Sequence, residues 1–425
     1  WRMTDPVGPD RYARLEGTFI ERRRVADAFA ILGGAGALGN EVAKNLALLG
    51  FGRVLVVDND VIEAHNATRS VFFCMGELER LSGMPKATHV AATMRSLNPD
   101  VRAVGYVGGI SDLGPGIYAE ADLAFSTFDN MPARFVMNDR CGQAGRAMVD
   151  GGLGNRNQEL ASGNVTLFDP SRGACFACGL SSRQRRALQA ELVGGSVEGC
   201  GARAQAVQDR GGVPSTPMTA SMVGAAQVLL GVKWLMEAPG YSTQPGLTTQ
   251  LSWETTPRMA SFATRRRPDC PHHPAPGHPI HRLDGRSDRL TLRHVLEAGQ
   301  RVLGARGVVQ LPVEVIGSSR CSSCGARCDR WVVWHRRERR ACPACGGTAL
   351  APDGDPPGAF AAGTEPTTDQ TLADIGFAFG ERYQVDSLED EAFVVVEVAG
   401  DLDALLGAES FAGPKPNVSA AGGAQ

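Results

Sequence analysis

The chain has 425 residues, 43% of them hydrophobic, which is enough for two or three domains of ~150 residues with cores of their own and excludes wholesale disorder. Its 43 Lys and Arg residues against 46 Asp and Glu leave a formal charge of −3, which argues against a dedicated binder of nucleic acid or of an anionic membrane. Most of its 11 cysteines lie in or beside C-x-x-C pairs and no secretion signal is evident, so we expect metal ligands in a reducing cytoplasm.

The N-terminal third alternates between apolar strand-like runs and helical periods. This alternation predicts an α/β fold, a doubly wound, Rossmann-like and mostly parallel sheet with helices on both faces. The first three elements form a βαβ unit. In chain order the predicted elements are strand 30–32, helix 40–49, strand 53–58, helix 86–97, strand 101–106, strand 122–126, helix 131–143 and strand 147–150.

The sequence changes character after this alternating region. Residues 179–216 are polar, Arg-rich and Gly-rich without a sustained period, which predicts a mobile crossing loop. Residues 219–236 are apolar but interrupted by polar residues including Lys233, which predicts a buried helix rather than a membrane segment. We place one domain over residues 1–280.

The C-terminal third divides into shorter segments of distinct composition. Paired cysteines, a Pro/Gly/Thr-rich stretch and a strand-like apolar run follow one another. One hypothesis is that the small module recruits a partner protein. The expected segments are a connecting region 281–314, a zinc ribbon 315–350, a linker 351–368, a small α+β module 369–412 and a disordered tail 413–425.

A glycine-rich turn stands where the first strand becomes a helix. Gly34, Gly36 and Gly39 form the pattern G-x-G-x-x-G, whose backbone N–H groups and helix N-terminus can hold phosphate because the missing side chains permit close approach. Asp58 ends the next strand, the usual place for an acid that binds ribose hydroxyls. The pattern predicts a nucleotide-binding domain.

Three further motifs follow the glycine turn in order. They are an Asp-x-Asp…Asn-x-x-Arg stretch from Asp58 to Arg69, Lys86-Ala at a helix start, and Asp129-Asn after a later strand. Together they resemble the ubiquitin-activating superfamily, which includes adenylyltransferases acting on sulfur-carrier proteins, over residues 11–273. The resemblance implies an enzyme that uses ATP to adenylate the C-terminal carboxylate of a ubiquitin-like or sulfur-carrier protein ending in glycine.

The resemblance also implies roles for single residues. Asp58 would bind the ribose, Asn66, Arg69 and Lys86 would contact the triphosphate, and Asp129 would hold Mg²⁺. Bringing a carboxylate to an α-phosphate joins two anions, so catalysis requires cations and metal to neutralise the developing charge. The residues of this set supply those charges.

The N-terminal stretch Arg11-Tyr-Ala-Arg14 is similar to a family motif whose last arginine reaches the nucleotide of the partner subunit. The similarity implies that Arg14 acts in trans and that the protein is a homodimer. Leu15 stands where the family usually has glutamine.

Cys200 is the candidate nucleophile, because its glycine neighbours give access and Arg203 favours a thiolate. The resemblance implies that it attacks the acyl-adenylate and carries a thioester to a conjugating-enzyme-like acceptor. Two alternatives stay open, a sulfur-carrier adenylyltransferase that stops at the adenylate and a noncatalytic nucleotide-binding scaffold.

Cys74 and Cys141 lie in apolar surroundings and are expected in the core.

Two groups of paired ligands predict two structural Zn²⁺ sites. Cys175 and Cys178 form one pair, while Cys270 and His273 offer two further ligands at the same spacing, with His272 as a competitor. The resemblance places a zinc knuckle between these two segments. The second group fits the spacing of a zinc ribbon, which we expect to stabilise the fold or dock a protein rather than bind nucleic acid; its ligands are Cys321, Cys324, Cys342 and Cys345.

Overall fold

The N-terminal domain of the computed structural model is built on an eight-stranded sheet. The structure describes residues 11–154, 161–193, 215–237, 240, 243–253, 256–273, 279–333, 341–347, 350–354, 357–361 and 370–406. The strands are β1 (Phe29–Gly33), β2 (Arg53–Asp58), β3 (Arg102–Val107), β4 (Leu123–Ser126), β5 (Ala147–Leu153), β6 (Ser162–Phe168), β7 (Leu247–Ser252) and β8 (Arg258–Ala263).

The strand order is β3-β2-β1-β4-β5-β6-β7-β8, with β1 to β5 parallel and β6 to β8 added antiparallel. The predicted mostly parallel α/β sheet is confirmed, while its antiparallel edge was not predicted. The helices of this domain are α1 (Arg22–Asp27), α2 (Ala37–Leu49), α3 (Leu78–Leu81), α4 (Lys86–Leu97), α5 (Pro115–Glu120), α6 (Met131–Ala144), α7 (Ser182–Val193) and α8 (Pro217–Met236).

Helices cover both faces of the sheet. Successive strand residues point to opposite faces, so Ala30 and Leu32 of β1 pack in one core with α2, α4 and α8. Phe29 and Ile31 pack in a second core with α5 and α6. Strands buried on both faces read as continuous apolar runs, which is why the sequence revealed them.

Helix α8 is the one helix in the described part of the chain that is long and apolar enough to cross a membrane. Inside the fold it packs against α2 and the sheet, with Val223, Val228 and Val232 in the core. Gly224 permits this approach, because a Cβ there would lie 2.7 Å from Glu41 Cβ. The helix predicted here is present, but it is buried on one side only, since Leu229 is 52% exposed.

The start of the predicted crossing loop is helical. Ser181 and Gln184 form a capping pair, in which Ser181 N–H donates to Gln184 Oε1 at 3.0 Å and Gln184 N–H donates to Ser181 Oγ at 3.3 Å. Helix α7 then buries Leu188 among the cysteines of the N-terminal domain. The expectation of a loop throughout residues 179–216 was wrong for this part, and residues 194–214 lie outside the described residues.

The C-terminal region forms a second sheet with an inserted cysteine-rich segment. The five-stranded sheet has the order β16-β10-β17-β18-β9, while β11 pairs with β14, and β12 pairs with β13 and β15. In chain order, the elements of the C-terminal region are β9 (Ile280–Asp284), α9 (Leu292–Leu303), β10 (Gly307–Gln310), β11 (Val315–Ile316), β12 (Ser319–Cys321), β13 (Arg327–Cys328), β14 (Val332–Val333), β15 (Leu350–Pro352), β16 (Ala359–Phe360), α10 (Leu372–Ile375), β17 (Arg382–Ser387), β18 (Phe393–Ala399) and α11 (Asp401–Leu406).

Residues 281–314 differ from the connecting region expected there. Strand β9 pairs in parallel with β18, and β10 pairs with β17, so this region belongs to the same module as residues 382–399. Helix α9 covers the sheet, and a Cβ at Gly299 would lie 2.6 Å from Val385 Cβ. The partner strands lie about a hundred residues apart in sequence, which is why local patterns did not connect them.

The module docks on the N-terminal domain through backbone and charge contacts. Gly114 N–H donates to Phe379 O at 2.6 Å, and Gly116 N–H donates to Gly380 O at 2.8 Å. Arg140 of α6 makes two hydrogen bonds to Glu381, of 3.2 and 3.3 Å, with both side chains largely buried. The two parts of the chain therefore share a tight interface.

Candidate nucleotide and metal sites

The glycine turn has the geometry of a phosphate cradle. Gly34 has φ +93°, a conformation that favours glycine, and a Cβ at Gly39 would lie 2.1 Å from Gly34 O. A Cβ at Gly36 would meet nothing within 4 Å, so space stands open at the start of α2. The first-turn amides of a helix have no acceptors within the helix, and they can bind an anion in such a space.

Asp58 and Lys86 lie beside this turn. Asp58 accepts the N–H of Ala35 at 2.6 Å and the N–H of Asp60 at 2.7 Å. Burial raises the pKa of Asp58 above its usual value, although these N–H donors and the charge of Lys86 oppose the rise. Lys86 Nζ lies 2.9 Å from Asp60 Oδ2, with its side chain 10% exposed. The structure brings the predicted ribose-binding acid and one predicted phosphate-binding cation to one place.

A buried asparagine ties the Arg69 segment to the same turn. Asn40 Nδ2 donates to Ala35 O at 2.8 Å and to Gly36 O at 2.9 Å, while Asn40 Oδ1 accepts Phe72 N–H at 3.0 Å. Arg69, three residues before Phe72, donates to Ser215 Oγ at 2.8 Å, and its Nε is buried without a partner among the described residues. That unsatisfied donor fits a site for an anion.

Asn66 has a local structural contact in this structure. Its side chain is 3% exposed, and its Oδ1 accepts Glu63 N–H at 3.0 Å, which fixes the turn that leads to Arg69. Contact of Asn66 with a triphosphate stays a prediction.

Asp129 lies on the loop between β4 and α6 and is exposed. Thr127 joins this loop to the glycine turn, since its Oγ1 lies 2.9 Å from the carbonyl oxygens of both Gly33 and Gly34. An exposed carboxylate beside a phosphate cradle fits a hard cation such as Mg²⁺. Asn40 and Thr127 were missed from the sequence, because a single polar residue in a helix or at a strand end carries no spacing signal.

Arg14 lies away from the glycine turn of its own chain. Tyr12, two residues earlier, accepts a hydrogen bond from Asn98 at 2.8 Å, and a Cβ at Gly50 would lie 2.4 Å from the Tyr12 hydroxyl. Gly50 follows the C-terminal end of the 13-residue helix α2, whose N-terminal end is the turn. At 1.5 Å per residue the two ends are about 20 Å apart. The structure does not bring exposed Arg14 to this turn.

Cys200, Cys141 and Cys74, which are outside the predicted metal clusters, differ in placement. Cys200 lies outside the described residues. Cys141 is 1% exposed, and burial raises the pKa of its thiol far above the usual value, as expected of a core residue. Cys74 was expected in the core but is exposed, because it precedes a short 3-10 turn at the surface rather than standing within a packed helix.

The predicted knuckle ligands converge. Cys175 Sγ lies 3.7 Å from Cys178 Sγ and from Cys270 Sγ, and Cys178 Sγ lies 3.2 Å from His273 Nε2. All four ligand atoms lie within 4.8 Å of one another. A tetrahedral zinc with bonds of about 2.3 Å would separate its sulfur ligands by about 3.8 Å, so the donor set and spacing fit Zn²⁺.

The two neighbouring histidines have different partners. His273 Nδ1 lies 2.8 Å from Pro170 O and donates to it, which leaves Nε2 available to a metal. His272 Nδ1 instead lies 2.7 Å from Asp139 Oδ1, and its ring packs edge-on against Phe135 with centroids 4.7 Å apart. The structure therefore places His273 in the cluster and His272 outside it.

The second cysteine cluster also assembles. Cys321 Sγ lies 3.7 Å from Cys345 Sγ, and Cys324 Sγ lies 3.7 Å from Cys342 Sγ, with all four within 4.8 Å. The backbone N–H of Cys324 is the largest influence lowering the pKa of Cys321, to about 6, which favours the thiolate that zinc binds. Cys328 is buried beside this cluster but is not one of the four ligands.

Trp331, in the cysteine-rich segment, is turned inward. Trp331 N–H donates to Gln370 Oε1 at 2.9 Å, and the indole packs against Phe360 with centroids 6.2 Å apart. Trp331 is 5% exposed and therefore not available for stacking on a base.

Comparison with known proteins assigns this chain to a family. The sequence matches the family described as "ThiF family" over residues 15–272, more than half of the chain. The chain therefore belongs to the ThiF family, which confirms its resemblance to the ubiquitin-activating superfamily.

Three curated relatives match parts of the chain. SAMP-activating enzyme E1 of Haloferax volcanii is 31% identical over 41% of this chain and 58% of its own length. Adenylyltransferase and sulfurtransferase MOCS3 of Mus musculus is 33% identical over 36% of this chain and 32% of its own length. Ubiquitin-like modifier-activating enzyme 5 of Oryza sativa is 26% identical over 63% of each. The chain thus spans 32% to 63% of the length of these relatives.

Among solved structures, E. coli MccB with ATP aligns over 63% of this chain and 74% of that chain, with 17% identity and a TM-score of 0.49.

Proposed function

We propose that this protein uses ATP to adenylate the C-terminal carboxylate of a ubiquitin-like or sulfur-carrier protein. The observation that carries the proposal is a hydrogen-bonded frame around the glycine turn. Asp58 binds the turn directly, Thr127 joins it to the Asp129 loop, and Asn40 joins it to the Arg69 segment. The relatives named for activating modifiers and for adenylyl transfer support this choice.

The reaction joins two anions. A carboxylate oxygen attacks the α-phosphorus of ATP, a new P–O bond forms, and the bond to the bridging oxygen breaks so that pyrophosphate leaves. Arg69, Lys86 and the amides at the start of α2 stabilise the phosphate charge, and Asp58 holds the ribose. Mg²⁺ bound with ATP would neutralise part of the phosphate charge, and Asp129 would hold it.

The position of Arg14 supports a homodimer. The residue is exposed, and its near neighbour Tyr12 lies at the C-terminal end of α2, a helix about 20 Å long whose other end is the glycine turn. A second copy related by a two-fold axis would supply Arg14 to the site of its partner.

Both cysteine clusters would hold structural Zn²⁺. Four closed ligands leave no position for a substrate, so each zinc would stabilise local structure. Thiolate ligands persist in a reducing compartment, which favours the cytoplasm.

The finer proposal is that Cys200 accepts the acyl group as a thioester, with AMP leaving, and passes it to a conjugating-enzyme-like protein. The alternative product is an adenylate used directly for sulfur transfer, which the relative named a sulfurtransferase supports. Trapping of a thiol-sensitive carrier adduct distinguishes the two. The adduct should vanish in Cys200→Ala and persist in Cys74→Ala, which removes another exposed thiol.

Adenylation itself is tested by ATP–pyrophosphate exchange. A small ubiquitin-like protein ending in Gly-Gly should stimulate exchange, and the same protein without its last glycine should not. A nucleotide-binding scaffold without chemistry would bind ATP and give no exchange with any such carrier.

A further inference from the structure

The loop that carries Asp129 is anchored at its neighbouring residues. Residues 127–130 connect β4 to α6. At the end of this loop Asn130 caps α6, its Oδ1 accepting Ala133 N–H at 2.9 Å. Asp129 is exposed, whereas the residues on either side of it are bonded to the fold.

The first half of the loop is fixed to the glycine turn and to the sheet. Thr127 N–H donates to Gly33 O at 2.9 Å, and Thr127 Oγ1 reaches the same turn. Gln227 Nε2, from helix α8, donates to Ser126 O at 3.0 Å and to Val149 O at 3.1 Å. The strand ends that frame the loop are thereby held together.

A buried ion pair holds the residue directly before Asp129. Arg134 donates to Phe128 O through Nε at 2.8 Å and through Nη2 at 2.5 Å, and through Nη1 to Asp150 Oδ2 at 3.1 Å. The other oxygen of Asp150 accepts Ser126 Oγ at 2.7 Å. The side chains of Arg134 and Asp150 are 16% and 10% exposed.

A buried ion pair is a poor source of stability, because desolvation offsets much of its attraction. Such a pair can, however, fix the position of the backbone that it contacts. A planar guanidinium can bind a carbonyl and a carboxylate at once, in fixed directions, which a lysine ammonium cannot reproduce. Burial also raises the pKa of Asp150 above its usual value, while Arg134 opposes the rise and favours the carboxylate that the arrangement uses.

We infer that Arg134 and Asp150 are positioning residues, which fix the backbone before Asp129 so that its carboxylate meets Mg²⁺ of bound ATP. This inference rests on the proposed function, in which Asp129 holds that ion. Arg134 and Asp150 act through Phe128 and Ser126. Displacement of a functional group by about 1 Å can cost a hundredfold in rate, so loss of this anchoring should be felt at the Mg²⁺ site.

The test measures ATP binding to the full chain by calorimetry, across Mg²⁺ concentrations and in excess EDTA. Arg134→Lys keeps the charge but loses the double contact. Mg²⁺ should increase the affinity for ATP, and the concentration of Mg²⁺ that gives half of this increase should be about tenfold higher in Arg134→Lys than in the wild type. In EDTA, the affinity of this variant for ATP should differ from that of the wild type by less than about twofold. Asp150→Asn should act in the same direction.

Arg140→Lys is the matched control. Arg140 lies on the same helix and forms a similarly buried pair, with Glu381 in the C-terminal module. It should leave both binding measurements unchanged, and melting temperatures report whether each variant is folded.

The inference is overturned if folded Arg134→Lys and Asp150→Asn need no more Mg²⁺ than the wild type, or if Arg140→Lys needs as much Mg²⁺ as they do. It is also overturned if the two variants lose as much ATP affinity in EDTA as they do in Mg²⁺. A wild-type chain that binds no ATP would instead contradict the proposed function itself.

Discussion

At the scale of residues, polar side chains buried behind the turn organise the site. The glycines and Asp58 were predictable, because the turn needs residues without side chains and the acid ends the next strand. Lys86 and Asp129 were predicted from their order along the chain, and the structure pairs Lys86 with Asp60 and places Asp129 on the loop that Thr127 joins to the turn. Asn40 and Thr127 were not, because their partners are backbone carbonyls that only the folded chain brings together.

Lys86 gives the most direct residue-scale prediction. Lys86→Ala removes a nearly buried cation from the proposed phosphate site and should lower the rate of carrier-dependent pyrophosphate exchange by about a hundredfold. Lys44→Ala is the control, since Lys44 pairs with Glu41 on helix α2. Equal rates in the two variants would show that Lys86 is not in the site.

The raised pKa of Asp58 predicts that stability and ATP affinity depend on pH. Its folded pKa is raised, so the folded chain binds this proton more tightly than the unfolded chain, and the stability that it contributes falls as pH rises through that pKa. The affinity for ATP should instead increase as pH rises, because protonation of Asp58 removes hydrogen-bond acceptors from its carboxylate. ATP affinity, measured by titration, should fall on acidification at a higher pH than an ordinary Asp with pKa of ~3.9 would give. Asp58→Asn should bind at least tenfold more weakly with a flat profile, and a wild-type affinity that falls only at the pH expected of an ordinary Asp would contradict the assignment.

At the scale of elements, spacing revealed the cysteine clusters but not every partner. Two C-x-x-C pairs at ribbon distance predict four ligands directly. The choice between His272 and His273 depended on Asp139 and Pro170, which lie far away in sequence. Helix α7 was missed although Ser181 and Gln184 stand at capping-box spacing, because its polar composition hid the helical period.

The knuckle predicts a difference between adjacent histidines. His273→Ala should lower the zinc content by one ion per chain, because it removes a ligand of the cluster. His272→Ala should retain both ions while losing its contact with Asp139. Elemental analysis of the purified variants measures both, and loss of zinc from His272→Ala alone would reverse the assignment.

At the scale of the whole molecule, the C-terminal module is fixed against the N-terminal domain. Its sheet could not be assembled from the sequence, because strands β9 and β18 pair across an inserted cysteine-rich segment. The interface combines backbone hydrogen bonds with the buried pair of Arg140 and Glu381. A rigid module would present a fixed surface to any partner it recruits.

Breaking that pair should destabilise the interface. Glu381→Gln leaves the Arg140 guanidinium buried with a weaker partner and should lower the free energy of unfolding by about 3 kcal/mol in urea titrations. Glu389→Gln, at an exposed pair with Arg306, should change it by less than about 1 kcal/mol. Equal effects would show that the interface does not depend on the buried charge.

The central claim is that the protein joins a carrier carboxylate to the α-phosphate of ATP. Its most direct measurement uses a carrier whose C-terminal carboxylate is labelled with ¹⁸O, followed by mass spectrometry of the nucleotide after the adenylate has been cleaved by a thiol. The account predicts one ¹⁸O atom in AMP and none in pyrophosphate. Label in inorganic phosphate with ADP as the nucleotide product, or AMP formed without label, would contradict it.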